Sequence, residues 1–159
     1  MTASPTDDAR QFQEQVASIT DYFQSVWTGG ENWKQSAFGA VASDQKNVAI
    51  EEVLNQVYRD TTTGVSAHPA LGSREELRAA ALDTKSALQT PSVRAKICRA
   101  LGPIGGKSSR EVAVDLTKSV LPLMLTGQIV FSASPIAWAL LAFTIASIGV
   151  NWICGDKND

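Results

Sequence analysis

The side chains able to do chemistry are few, and they are scattered along the chain. His68 is the sole histidine, in the stretch SAHPALG, with no cysteine or carboxylate cluster beside it. One isolated imidazole completes neither a zinc site nor a nucleophile–base pair, so His68 reads as a solvent-exposed loop residue. Cys98 and Cys154 are too few for a disulfide framework and lack metal-ligand spacing, which points to reduced thiols in a cytoplasmic protein. Arg94, Lys96 and Arg99 surround Cys98 and could lower its pKa, but Ile97 and Leu101 argue for a half-buried structural residue. Cys154 closes an apolar segment, where lipidation is the alternative to a free thiol. The acid pairs Glu51-Glu52 and Glu75-Glu76 are adjacent on helices, and adjacent positions do not face each other, so they are solvated faces rather than acid–base pairs.

The stretch GPIGGKSS, Gly102 to Ser109, invites comparison with a phosphate-binding loop. That loop needs four residues between its glycines, so that successive backbone N–H groups curl around the phosphates. Gly102 and Gly106 enclose only three, a helix precedes them, and no strand ending in Asp is present to hold Mg²⁺. A helix–helix connection explains every residue, with anion binding near Lys107 and Ser108 as the alternative. No catalytic, cofactor-binding or metal-ligating residue is assigned, no small-molecule substrate is evident, and the expectation is a protein that is not an enzyme.

Charge is distributed unevenly. The chain of 159 residues has a net charge of −2, which excludes a globally basic, nucleic-acid-coating protein. The first 60 residues are acidic, whereas Arg94, Lys96, Arg99, Lys107, Arg110 and Lys118 form a basic block directly before a segment without any charge. The block has no interleaved aromatics for stacking nucleic-acid bases, so its expected role is contact with lipid head groups or another anion.

The elements that would position these residues are helical nearly throughout. Ser4-Pro5 with Asp7 is an N-cap, a proline at the first helical position and an acid in the first turn. Ala9, Phe12, Val16, Ile19, Phe23 and Val26 follow on one helix stripe, which Gly29-Gly30 stops. Phe12, Val16, Ile19 and Phe23 would serve either a bundle core or a partner helix. A second helical region runs from Asn32 to about Arg59, with a break near Ser43-Asp44 and an apolar face of Ile50, Val53, Leu54, Val57 and Tyr58. Residues Asp60 to Gly72 read as a loop. Capping boxes at Ser73 with Glu76 and at Ser108 with Glu111, and Thr90-Pro91 and Ser134-Pro135, open four further helices. QIVF, Gln128 to Phe131, is the one strand-like stretch and is too short to make a sheet.

The apolar segment decides the architecture, because no charge occurs between Lys118 and Asp156. Pro135 to Cys154 would make about 30 Å of helix, the thickness of a hydrocarbon core. Trp138 and Trp152 bracket it as interfacial anchors, and Ala139, Ala142, Ala146 and Gly149 form a stripe that lets two helices approach closely. Thr144, Ser147 and Asn151 add a mildly polar side. With the shorter piece Val120 to Phe131, this helix would form a hairpin.

The expected fold is therefore all-α, a bundle of six to seven helices with an apolar C-terminal helical hairpin. Its division is an amphipathic domain at 1–118, the hairpin at 119–155 and a polar tail at 156–159. Two functions follow. In the first, the hairpin inserts into or anchors to membrane lipid and packs between protomers of a homo-oligomer, as in a pore-forming, cell-death or defence effector. In the second, the hairpin is the core of a soluble adaptor or regulatory module that binds a protein partner.

Overall fold

The computed structural model describes residues 5–41, 44–62, 73–102 and 108–155, without the side chains of residues 5–8. His68, Lys107, Ser4, the side chain of Asp7 and the tail 156–159 lie outside the described residues. Among the described residues there are eight helices and no strand: α1 (Pro5–Val26), α2 (Trp33–Phe38), α3 (Gln45–Thr62), α4 (Arg74–Gln89), α5 (Pro91–Leu101), α6 (Ser109–Leu125), α7 (Pro135–Ile148) and α8 (Val150–Cys154). The all-α bundle is as expected. Asn32 to Arg59 divides into α2 and α3 at the expected break, and the count reaches eight because the last helix breaks into α7 and α8.

Local chemistry accounts for the boundaries. Ser73 and Ser108 each accept from the backbone N–H three residues on, while Glu76 and Glu111 accept in return from the cap N–H, completing both capping boxes. The Ser134 hydroxyl accepts from the Ile136 N–H, with Pro135 in the first turn of α7. Pro122 sits inside α6, yet the helix continues to Leu125, where the left-handed backbone of Gly127 (φ 81°) ends it. The Gly127 and Gln128 N–H groups then bond back to the Met124 and Leu123 carbonyls.

α7 has no polar face, and none is needed, because α1, α3, α4 and α6 pack around it. Every residue from Ile136 to Ile145 is buried. Fully burying a side chain such as Leu140, Leu141, Phe143 or Ile145 stabilises the fold by roughly 1.5–3 kcal/mol each. α1 runs in the same direction as α7: Phe12 meets Trp138 edge-on at 5.8 Å, and Phe23 meets Phe143 at 6.2 Å. The stripe Phe12, Val16, Ile19 and Phe23 is thus core against α6 and α7 and offers nothing to a partner helix; Val16, Ile19 and Phe23 are buried and Phe12 half-buried. One hydrophobic core takes residues from both sides of position 118, which lies within α6.

The continuous span expected from Pro135 to Cys154 does not form. Gly149 adopts φ 110°, a backbone conformation that side-chain-bearing residues rarely reach, and α7 stops after 14 residues, about 21 Å. Among the described residues no helix is long and apolar enough to cross a membrane. The turn at Gly149 redirects α8, so that Trp152 packs edge-on to Trp33 of α2 at 5.2 Å. It also brings Cys154 to α5, where it forms a disulfide with Cys98 across a Cα–Cα distance of 5.6 Å. The expectation of two reduced thiols, and with it lipidation of Cys154, is overturned by that bond. Lys46 adds a third tether by donating to the Gly155 carbonyl.

Candidate functional site

The residues expected to meet lipid or a second protomer are used inside the chain. Trp138, Ala139 and Ala142 are fully buried, while Ala146, Gly149 and Trp152 are half-buried around the helix break. Trp138 donates from Nε1 to the Ser132 carbonyl and stacks edge-on with Phe131, so it anchors the return of the hairpin rather than a membrane interface. The polar side of the same segment is dispersed. Thr144 is buried, its hydroxyl without a hydrogen-bond partner among the described residues, Ser147 is half-buried and Asn151 is exposed.

The described residues of the basic block are spread over several contacts. Arg94 donates to the Leu88 carbonyl in the last turn of α4, where a cation complements the helix dipole. Arg110 reaches from α6 to the acidic face of α1, pairing with Asp21 and lying 3.8 Å from Glu14. Lys96 donates to the Gln128 carbonyl at the turn between α6 and α7. Arg99 and Lys118 are exposed. At the start of α6 the Glu111 carboxylate already holds the Ser108 N–H, so the N-terminus carries its own anion.

A different surface emerges between α3 and α4. The two helices lie antiparallel: Glu51 meets Lys85 at 3.5 Å and Gln89 at 3.0 Å, while Tyr58, two turns on, lies under the Arg78 guanidinium at 5.9 Å. Between these brackets runs a groove of about 350 Å³, lined by Glu51, Leu54, Asn55 and Tyr58 from α3 and by Arg78, Ala81, Leu82 and Lys85 from α4. Each set has the spacing i, i+3, i+4, i+7, which places it on one helix stripe. Two parallel ridges two turns long are what a third helix nests between. Leu82 is 59% exposed at the edge of this groove.

Sequence reasoning missed the groove because its walls are mixed. The α3 stripe shares Leu54 and Tyr58 with the apolar face of that helix and adds only Glu51 and Asn55, so it reads as the margin of a core-facing surface. The available signal was Leu82, an aliphatic side chain off the buried face of Leu77, Ala80, Thr84, Ala87 and Leu88. Among the described residues, no group of three His, Cys, Asp or Glu side chains is placed to hold a metal ion. Compared with protein-family models, curated proteins and solved structures, the chain has no significant match.

Proposed function

We propose that the chain is a non-enzymatic helical interaction module that takes up one amphipathic helix of a protein partner in the groove between α3 and α4. The carrying observation is the pair of matched two-turn stripes with Leu82 left exposed beside them. Apolar side chains of the partner at i and i+3 or i+4 would cover Ala81 and Leu82 above the buried Leu54, and a carboxylate would meet Arg78, whose charge otherwise rests on the Tyr58 ring. Of the two functions expected from the sequence this is the adaptor. The shielding of α7 on all sides favours it, since the hairpin then serves as the core on which the groove-forming helices rest. The Cys98–Cys154 disulfide supports an oxidising space as the place of work, instead of the reducing cytoplasm.

Selection of displayed helical peptides on the oxidised, folded chain tests this reading. Selected peptides should share an apolar i, i+3/i+4 pair with a flanking acid. They should lose at least tenfold in affinity to Leu82→Asp and to Arg78→Glu, residues whose exposure makes both changes harmless to the fold. Peptides that bind both variants as tightly as the wild type, or a selection that yields none, would sink the groove as the working surface.

A further inference from the structure

The hairpin that fails to span a membrane has an exposed end. Leu125, the last residue of α6, is 73% exposed, and Val130, on the way to α7, is 90% exposed. The turn that presents them is well built. The Gln128 and Ile129 N–H groups both bond to the Leu123 carbonyl, Ile129 is buried, and Val130 as the next residue therefore points outward. No residue of the turn itself is charged, since the charge-free segment begins after Lys118.

Two lysines accompany it, one below the turn and one beside it. Lys118, Leu121, Pro122 and Leu125 share one face of α6 at i, i+3, i+4, i+7, so Lys118 lies about 10 Å below Leu125 along the helix. Lys96 reaches the turn from the other side, through its bond to the Gln128 carbonyl. Exposed apolar side chains with one ammonium beside them and a second about two turns below suit a shallow seat in a bilayer interface, roughly 5–10 Å deep, with the ammonium groups at the phosphates.

From this arrangement we infer that the turn between α6 and α7 docks on the surface of an anionic lipid bilayer, burying Leu125 and Val130 below the head groups while Lys96 and Lys118 engage them. The contact is peripheral. It leaves α7 in the bundle core, uses no residue of the α3–α4 groove, and so stands or falls separately from the partner-helix reading.

Sedimentation of the oxidised chain with mixed phosphatidylcholine–phosphatidylglycerol vesicles, and with pure phosphatidylcholine vesicles, tests it. The wild type should sediment with the mixed vesicles and much less with the neutral ones. Leu125→Asp and Val130→Asp should each weaken binding at least tenfold with an unchanged circular dichroism spectrum, because both side chains are already in water. Lys118→Gln should weaken it roughly fivefold. Failure to sediment, equal binding to both kinds of vesicle, or aspartate variants that bind like the wild type would overturn the proposal. So would a vesicle-free dimer that the aspartate changes dissolve, since a second copy would then be what covers the tip.

Discussion

Val130 and Phe143 belong to the same charge-free segment, yet Val130 is 90% exposed and Phe143 is completely buried. Hydropathy treats the two alike. What separates them is the number of neighbours the chain can bring alongside. α7 runs where α1, α3, α4 and α6 enclose it, so an all-apolar helix has a partner on every face. The turn from α6 to α7 is tied to the core through Ile129, the half-buried Phe131 and the Ser132 carbonyl, and leaves Val130 in water. An uncharged stretch of this length is thus two surfaces joined in one sequence, one that closes the fold and one that the fold leaves open.

The contrast can be broken from its buried side first. Phe143→Ala should cost about 3–5 kcal/mol, seen as a lower urea midpoint, because the ring touches both Phe23 and Trp27 and its loss leaves a void between helices. A cost near zero would mean that the wrapping helices do not depend on α7. Next comes the tether. Replacing Cys98 and Cys154 together by Ser should cost roughly 2–4 kcal/mol, and a reducing agent should bring the wild type to about the same midpoint. Insensitivity of the wild type to reduction would argue that the bond adds nothing to the packing of α8. Smallest of all, Val130→Asp should move the midpoint by no more than about 0.5 kcal/mol. A penalty comparable to that of Phe143→Ala would place Val130 inside the core and erase the difference between the two regions.

Much of the bundle was legible because its helices carry local start and stop signals. Both capping boxes, the prolines opening α5 and α7 and the end of α1 before Gly29-Gly30 depend on neighbours a few residues away, and they appear where the sequence placed them. The features that were not legible depend on distant residues. Gly149 inside an apolar run costs a helix only about 1 kcal/mol, so the sequence alone favoured continuity across it. The chain breaks there because α8 gains more by turning to Trp33 and Cys98. The disulfide itself joins residues separated by 56 positions, with no spacing signature, and only the packing of α8 beside α5 brings the thiols together. The α3–α4 groove was hidden for a related reason: each wall alone is the mixed margin of a core-facing helix, and it becomes a site only when the antiparallel pairing sets the two stripes face to face.

The Cys98–Cys154 bond also changes what the chain is as a mechanical object. It closes a covalent ring that contains α6, the exposed turn and α7, so the most hydrophobic part of the molecule lies on a loop off the line of force between the two ends. Stretched from its termini, the oxidised protein transmits tension from α5 directly into α8 and leaves α7 unloaded. The separation of 56 residues hides roughly 190 Å of contour that only reduction releases. A cut anywhere within the ring likewise yields two pieces that stay joined.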